Sequence, residues 1–395
     1  MKRRSPDFVT QIPFLESRLN LRIFIVGSAI AGACLGCTTP GCRAQEIFAA
    51  NYYGTVTSEY GTVTAYDGIT GAAAFTVTSG VDDPDALAVS GDDLYVANLG
   101  LHSGVSTIAE YDATTGAPGF TISSGVSFPL AMAVSGNSLY VANQDSGALT
   151  EYNATTGAPG FTIANAIGDA AVSLMVLNGE LYVANEDYGT VAEFNATTGA
   201  PGFTITESNM FPVALATFGN NLYVANAAGS DGNNYMGNVT EYNATTGAMG
   251  FTISSGIDEP DSLALSGSNL YVLNQQGGTP AGTGTVTEYD ATTGASGFTI
   301  NTDVAGMLDL ASIGNNLYAL NNTGSTVNTI IDYNATTGAS ILTVSSGLDD
   351  PRAIAVSPVP EPEPWEGVAG SLSLFWWLQH FRGNRKRGRT SVCRP

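Results

Sequence analysis

Three short acidic loops carry the side chains best suited to hold a metal ion. They read Asp82-Asp83-Pro84-Asp85, Asp258-Glu259-Pro260-Asp261 and Asp349-Asp350-Pro351. Carboxylate oxygens are the ligands that Ca²⁺ prefers, and no Lys or Arg between Ala44 and Pro351 offsets their charge. The sequence therefore predicts Ca²⁺ as the one cofactor, with a solvated Asp-Pro turn as the alternative. The predicted ligands are Asp82, Asp83, Asp85, Asp258, Glu259, Asp261, Asp349 and Asp350.

Groups suited to catalysis are sparse in the same central region. Its one histidine is His102, in the loop Gly100–Gly104. A Ser-His-Asp triad around His102 is one interpretation, and a solvated side chain is the other. The cysteines all lie in the terminal segments, at Cys34, Cys37, Cys42 and Cys393. We therefore expect no catalytic residue, and we expect that the protein is not an enzyme.

The charge is unevenly distributed along the chain. The net charge is −22, and Arg352 is the only one of the 13 Lys and Arg residues that lies outside the two terminal segments. Such an acidic surface repels phosphate backbones, which excludes nucleic acid as a partner. It also repels anionic lipid headgroups and attracts cations.

One unit recurs seven times between the terminal segments. Its first signature, Leu-Tyr-Val-Ala-Asn, starts at Ile47, Leu94, Leu139, Leu181, Leu222, Leu270 and Leu317, the first and the last two copies being looser. Its second signature, Tyr-(Asn/Asp)-Ala-Thr-Thr-Gly, starts at Tyr66, Tyr111, Tyr152, Phe194, Tyr242, Tyr289 and Tyr333. Successive copies lie 41 to 48 residues apart, which is the spacing of a four-stranded propeller blade.

Each unit contains four runs of strand length. In one unit they are Ala131–Ser135, Leu139–Asn143, Ala148–Tyr152 and Gly160–Ile163. The small residues of the first run suit an innermost strand, where blades crowd toward the axis. The first unit lacks this run, and a spare copy, Ala353–Ser357, follows the last unit. We therefore predict an all-β, seven-bladed β-propeller over residues 45–358, its first blade closed by the C-terminal strand.

Two polar positions recur around the predicted ring. The acidic one is occupied by Glu110, Glu151, Glu193, Glu241, Glu288 and Asp332, and the amide one by Asn98, Asn143, Asn185, Asn226, Asn274 and Asn321. Because an active site would break the symmetry of the ring, we interpret both as structural. The three acidic loops precede innermost strands and should emerge together on one face, near the axis.

The repeat resembles two known propeller families. The run from Pro84 to Asn98, Pro-x-Ala-Leu-Ala-Val-Ser followed by Leu-Tyr-Val-Ala-Asn, resembles the NHL repeat. The Tyr-Asp-Ala-Thr-Thr-Gly piece resembles the outer turns of PQQ-type propeller repeats. Both resemblances imply a propeller, and neither implies a particular ligand.

The N-terminal segment is typical of a secretory signal peptide. Lys2, Arg3, Arg4, Arg18 and Arg22 precede an apolar run from Ile23 to Leu35 that is short for a membrane span. Small residues at Cys42 and Ala44 then predict cleavage between Ala44 and Gln45. A lipoprotein signal ending at Cys34 is the alternative. We assign residues 1–44 to the signal peptide.

Residues 359–395 have three parts in order. Val359-Pro360-Glu361-Pro362 is followed by an apolar stretch from Gly367 to Phe381 and by a basic cluster with Arg382, Arg385, Lys386 and Arg387. This order resembles the PEP-CTERM sorting tail of Gram-negative bacteria. The resemblance implies an exosortase-type membrane protease as a partner and transient anchoring in the inner membrane. The basic cluster would stay in the cytoplasm and the propeller outside.

These observations favour an exported, monomeric binding or structural module at the cell surface or in an exopolysaccharide matrix. Its ligand would be a polysaccharide or another surface protein. The alternative is a propeller enzyme, either lactonase-like with one divalent metal ion or dependent on PQQ.

Overall fold

The computed structural model describes residues 45–52, 60–164, 171–207, 210–227, 237–278, 283–302, 306–322 and 328–357. The chain divides into Met1–Cys42 and Arg43–Pro395, and the described residues belong to the second unit. The predicted signal peptide, residues 1–44, and the predicted sorting tail, residues 359–395, lie outside the described residues. The described residues include no helix that could span a membrane.

Within the described residues the strands form seven four-stranded sheets, each one blade. The innermost strands are β4 (Pro84–Ser90), β8 (Pro129–Ser135), β12 (Ala171–Leu177), β16 (Pro212–Phe218), β20 (Pro260–Ser266), β24 (Met307–Ile313) and β28 (Pro351–Val356). The second strands are β1 (Glu46–Asn51), β5 (Asp93–Asn98), β9 (Ser138–Asn143), β13 (Glu180–Asn185), β17 (Asn221–Asn226), β21 (Asn269–Asn274) and β25 (Asn316–Asn321). The third strands are β2 (Thr62–Asp67), β6 (Thr107–Asp112), β10 (Ala148–Asn153), β14 (Thr190–Asn195), β18 (Asn238–Asn243), β22 (Thr285–Asp290) and β26 (Thr329–Asn334). The outermost strands are β3 (Ala73–Val77), β7 (Pro118–Ile122), β11 (Pro159–Ile163), β15 (Pro201–Thr206), β19 (Met249–Ile253), β23 (Ser296–Asn301) and β27 (Ser340–Val344).

The ring closes through the last strand, as the spare repeat predicts. Strand β28 pairs antiparallel with β1, so blade 1 has the order β28-β1-β2-β3. Each innermost strand also contacts the innermost strands of both neighbouring blades, which makes a continuous cycle around the axis. The innermost strands begin earlier than the apolar pattern indicates, for example at Pro129 and Pro351. A proline is tolerated there because the first residue of a strand need not donate to the ladder.

The hydrophobic core lies between the blades. Seven clusters of buried side chains each join two neighbouring blades. The tyrosine of the first signature then links each blade to the next, since the Tyr95 hydroxyl donates to the Ala154 carbonyl oxygen at 2.8 Å. Equivalent bonds join Tyr140 to Ala196 and Tyr182 to Ala244. The two repeat signatures therefore meet across each of these interfaces.

The second signature forms a tight turn by the expected mechanism. Oδ1 of Asp112 accepts hydrogen bonds from the N–H groups of Thr114 and Thr115 at 2.9 and 2.8 Å. Gly116 follows with a φ of +69°, which a glycine adopts without steric cost. The Asx turn explains why the second residue of this signature is Asn or Asp in every unit.

Candidate binding site

A pocket of about 420 Å³ lies on the axis, at the end where the chain enters the innermost strands. All seven innermost strands line it with their second and third residues, β4, β8, β12 and β28 add the fourth, and Glu186, which follows β13, joins them. A mostly apolar cavity of about 240 Å³, lined by Met175, Leu215 and Leu263 among others, involves later residues of these strands. The second cavity is lined by β12, β16, β20 and β24 alone, so the axial pocket is the one that all seven innermost strands share.

A β-bulge explains how neighbouring residues reach the same pocket. In β4, Pro84 pairs with Asn98 and Ala86 with Ala97, which leaves Asp85 as the extra residue. The same shift follows the first residue of every innermost strand. In a regular strand consecutive side chains point to opposite faces of the sheet, and a bulge lets two consecutive side chains point to similar surroundings. The second and third residues of each strand can therefore both line the pocket.

These two positions break the symmetry of the ring. From blade 1 to blade 7 the second position is occupied by Arg352, Asp85, Leu130, Val172, Val213, Asp261 and Leu308. The third position is occupied by Ala353, Ala86, Ala131, Ser173, Ala214, Ser262 and Asp309. The charged groups fall on blades 6, 7, 1 and 2, while blades 3, 4 and 5 present aliphatic side chains. The pocket therefore has a charged arc and an apolar arc.

The charged arc is strongly acidic. Burial raises the pKa of Asp309 to about 6, although hydrogen bonds from Ile354, Ser262 and Leu310 oppose the shift. Burial also raises the pKa of Asp85, with the positive charge of Arg352 acting in the opposite direction. For Asp261, burial raises the pKa and the charge of Glu186 adds to the shift. The charged arc thus holds three carboxyl groups and one guanidinium group, and Glu186 adds a fourth carboxyl group from the blade 4 side of the pocket.

Asp309 also joins three blades. Its Oδ1 accepts from the Ser262 hydroxyl at 3.0 Å and from its neighbour's N–H, and its Oδ2 accepts from the Ile354 N–H at 3.2 Å. Serines at the third position do a similar task, since the hydroxyls of Ser173 and Ser262 accept the N–H groups of Leu215 and Leu310. Asp309 therefore links neighbouring blades as these serines do, but with a carboxyl group in place of a hydroxyl group.

The structure divides the predicted metal ligands into separate groups. Asp85 and Asp261 line the axial pocket. In the blade 6 loop, Glu259 accepts a hydrogen bond from the Gln276 side chain at 2.9 Å, and Asp258 donates its N–H to Asn274. In the loop before β28, Asp350 pairs with Arg352 and Asn322, and Asp349 donates its N–H to Asn51. Among the described residues, these groups form no shared ligand cluster across the three loops.

Asp82 and Asp83 instead lie beside His102. The Nδ1 atom of His102 is 2.8 Å from Asp83 Oδ2 and 3.5 Å from Asp82 Oδ1. The hydrogen bond to Asp83 raises the pKa of the imidazole. The hydroxyl of Ser103 bonds to the backbone of Val105, so the described contacts supply His102 with no serine nucleophile.

Four asparagines of the recurring amide position hold the loops that precede innermost strands. Asn98 accepts the N–H of Asp82 at 3.0 Å and donates to the Gly80 carbonyl oxygen and the Thr107 hydroxyl. Asn51, Asn143 and Asn274 accept the N–H of the equivalent loop residue. Each of these amides fixes the loop that delivers the chain to an innermost strand.

Sequence reasoning overlooked Asp309 and Glu186 in the axial pocket. The signal for Asp309 was present, because the third position of the innermost strands is otherwise Ala or Ser. Glu186 gives no such signal, because only the folded ring brings the loop after β13 to the axis.

Comparison with known proteins agrees with this architecture. Residues 106–343, more than half of the chain, match the PQQ-like repeat family described as outer membrane protein assembly factor BamB. The chain belongs to this family. The family match supports the PQQ-type resemblance of the repeat. No curated protein matches the chain in sequence.

Three solved structures illustrate the structural similarity. A functionally unknown protein from Desulfotomaculum acetoxidans has 15% identity and a TM-score of 0.63, over 80% of this chain and 99% of that one. The computationally designed protein Ika8 has 15% identity and a TM-score of 0.54, over 76% and 89%. BamB from Moraxella catarrhalis has 17% identity and a TM-score of 0.49, over 74% and 87%. At such identities the first two support the propeller fold alone.

Proposed function

We propose that this protein is an exported binding module of the cell surface or extracellular matrix, and that its ligand enters the axial pocket. The observation that carries the proposal is the broken symmetry of that pocket. A ring that needed only to be stable would repeat the small residues found at most third positions. Three carboxyl groups opposite an arc of aliphatic side chains, with a fourth carboxyl group from Glu186 on the loop after β13, are instead suited to recognition.

The pocket favours a ligand with a positive charge at the end of an aliphatic chain. The acidic arc attracts the charge, and Leu130, Val172 and Val213 offer apolar surface to the chain that carries it. A lysine side chain of a partner protein has this chemistry. The apolar C–H faces of a polysaccharide pack best on aromatic rings, and the described lining of the pocket contains none. We therefore favour a protein ligand over a polysaccharide.

The family adds support for a protein partner. Its description names a factor in outer membrane protein assembly, a task that requires contact with other proteins. We extend to this chain only the property of binding another protein.

Export is the second part of the proposal. The basic and apolar N-terminal segment supports a signal peptide cleaved before Gln45. The Val359-Pro360-Glu361-Pro362 motif, the apolar stretch and the basic cluster support processing by an exosortase-type protease after transient anchoring. Pulse-chase labelling with mass spectrometry of the mature termini tests this part independently of ligand binding. Mature termini that retain both segments would contradict it.

The enzyme alternatives fit the pocket poorly. PQQ is a tricarboxylate, and Asp85, Glu186, Asp261 and Asp309 would repel it while Arg352 is the only cation lining the pocket. A lactonase-like site needs metal ligands that converge on the axis. Among the described residues, the one group close enough to share a metal ion lies at Asp82, Asp83 and His102, away from the pocket-lining set.

Calorimetric titration with three peptides tests the ligand class. They differ at one position, which is lysine, Nε-acetyl-lysine or norleucine. We expect the lysine peptide to bind most tightly at low salt, and we expect Asp261→Asn and Asp309→Ser to weaken it about tenfold. Asp112→Asn is the matched control, because it removes one negative charge at a turn where other repeats use Asn. Equal binding of all three peptides, or unchanged binding by both pocket variants, would refute the proposal.

A further inference from the structure

We propose that Asp82, Asp83 and His102 form a binding site for one transition-metal ion, with Zn²⁺ as the representative ion. The site lies in blade 2, where the loop before β4 meets the loop 99–106 between β5 and β6. It is separate from the axial pocket and does not depend on the proposed function. It differs from the Ca²⁺ site predicted for the loop Asp82–Asp85 in two respects: the ion is a transition metal, and His102 takes the place of Asp85 as the third ligand.

The spacing of the ligand atoms fits a metal ion. One ligand atom from each residue lies within 4.8 Å of the other two. Around an ion with bonds of about 2.1 Å, neighbouring ligand atoms lie roughly 3.0 to 3.4 Å apart and opposite ones about 4.2 Å apart. The distances from His102 Nδ1 lie just outside this neighbouring range, at 2.8 Å to Asp83 and 3.5 Å to Asp82, so small side-chain shifts would suffice to bind an ion.

Two buried oxygens at this place accept no hydrogen bond. They are Oδ1 of Asp82 and Oδ1 of Asp83, and the Asp83 side chain is 0% exposed. A buried carboxylate oxygen without a donor costs about 1–3 kcal/mol or more, so native proteins rarely leave one. The Asp82 oxygen is the one that lies 3.5 Å from His102. A cation between the ligands would satisfy oxygens that the described residues leave without donors.

The remaining oxygens hold the ligands in place. Oδ2 of Asp83 accepts the N–H of Leu101 at 2.9 Å, and Oδ2 of Asp82 accepts the N–H of Ser103 at 2.9 Å. The ring of Tyr60 contacts the imidazole edge-on, with centroids 5.2 Å apart. Such supporting contacts orient the ligands before an ion binds and are typical of metal sites.

The ligand set selects the class of metal ion. Ca²⁺ takes six to eight oxygen ligands, and an imidazole nitrogen is foreign to that set. One imidazole with two carboxylates suits Zn²⁺ and its neighbours among the divalent transition metals. The His102 side chain is 39% exposed, so water can complete the coordination.

The equivalent loops lack this arrangement. In blade 6 the positions of Asp82 and Asp83 are taken by Asp258 and Glu259, and the neighbouring side chain there is Gln276. In the loop before β28 the partner is Arg352. Blade 2 alone of these three places a metal-binding side chain opposite its acidic pair.

Co²⁺ and Zn²⁺ titrations of the full chain test the proposal, with the four cysteines alkylated first. The chain has two histidines, so His380→Gln leaves His102 as the only imidazole. In that background we expect the protein to bind one equivalent of metal ion. Bound Co²⁺ should give a visible absorption band typical of coordination by one nitrogen ligand and oxygen ligands. Zn²⁺ should raise the melting temperature. We expect His102→Gln and Asp82→Asn each to weaken binding at least about tenfold.

Asp258→Asn is the matched control, because it removes the equivalent carboxylate from blade 6. It should leave affinity and stoichiometry unchanged. Circular dichroism shows whether each variant is folded. If His102→Gln does not fold, Asp82→Asn provides the test instead. Failure of the parent protein to bind either ion would overturn the proposal, and so would binding by folded His102→Gln and Asp82→Asn variants that is as tight as that of the parent.

Discussion

Gly119 leaves the space that the carboxylate of Glu110 occupies. A Cβ atom on Gly119 would lie 1.6 Å from Glu110 Oε2, which itself accepts the N–H of Phe120 at 3.2 Å. The same pairing joins Glu151 to Gly160, Glu193 to Gly202, Glu241 to Gly250 and Glu288 to Gly297. Blade 1 has Ala65 and Ala74 at these two positions, and blade 7 has Asp332 and Ile341. The long carboxylate therefore occurs only where the outer strand has a glycine.

This relationship predicts strong coupling between the two positions. We expect Gly119→Ala to reduce the free energy of unfolding by about 1–3 kcal/mol, because the new methyl group displaces the Glu110 carboxylate. Adding Glu110→Ala should restore much of the loss, since the pair then matches blade 1. Chemical denaturation of both single variants and the double variant measures the coupling. Additive effects would contradict the prediction.

Asp332 predicts a pH-dependent loss of stability. Its side chain is 3% exposed, its Oδ1 has no hydrogen-bond partner among the described residues, and burial raises its pKa to about 7. A carboxyl with a raised pKa binds more protons in the folded than in the unfolded state, so stability falls as pH rises from about 4 to 7. Asp332→Asn should therefore stabilise the protein at pH 8 and have less effect at pH 5.

Urea denaturation at both pH values measures this difference. The slope is at most about 1.4 kcal/mol per pH unit within that window. Asp290→Asn is the control, because hydrogen bonds from Thr293 and Thr292 lower the pKa of Asp290 and place its titration below the range tested. If Asp332→Asn raises the free energy of unfolding by the same amount at pH 5 and pH 8, the Asp332 carboxyl does not have the raised pKa, and the prediction is wrong.

Ring closure predicts that β28 is indispensable. It supplies the innermost strand of blade 1, and its Ile354 packs with Ile47, Tyr66 and Leu320. We expect a chain ending at Asp350 to lose cooperative unfolding and to aggregate, because β1 then becomes an exposed edge. A chain ending at Ser357 retains β28 and should stay monomeric in size-exclusion chromatography. Equal stability of the two chains would contradict closure by β28.

The repeat made the fold predictable, whereas the site was predictable only in part. Seven copies of two signatures and the spare strand at Ala353 determine the number of blades and their closure, because each unit can bury its apolar faces only against a neighbour. The acidic loops were also visible, and Asp85 and Asp261 do reach the axis. The separation of Asp83 from Asp85 was not visible, because Asp83 precedes β4 with a φ of +54°, whereas Asp85 is the extra residue of the bulge inside the strand.

The contact between Asp83 and His102 was hidden for a related reason. They lie on different loops, 19 residues apart, and a lone histidine in a loop carries no pattern of its own. Loop geometry specific to blade 2 brings them together. Symmetry reasoning thus succeeded where the units agree, and the departures from symmetry required the folded ring.

The axial pocket predicts that ligand affinity rises with pH. Asp309 has a pKa of about 6, and burial also raises the pKa values of Asp85 and Asp261. Arg352 is the cation of the charged arc, and the negative charge of Glu186 adds to the rise in the pKa of Asp261. As pH increases from 5 to 7.5, Asp309 ionises and the pocket gains negative charge. A lysine peptide should therefore bind about three- to tenfold more tightly at pH 7.5 than at pH 5.

Asp309→Ser provides the matched comparison for this pH effect. Serine is the residue that blades 4 and 6 use at the same position, where Ser173 and Ser262 accept the N–H of the next blade. The variant should therefore retain the fold while losing the titrating group, and its binding should depend less on pH. Calorimetry with the lysine peptide at the two pH values, at one fixed ionic strength, measures both affinities. An unchanged pH dependence in Asp309→Ser would assign the effect to other carboxyl groups of the pocket.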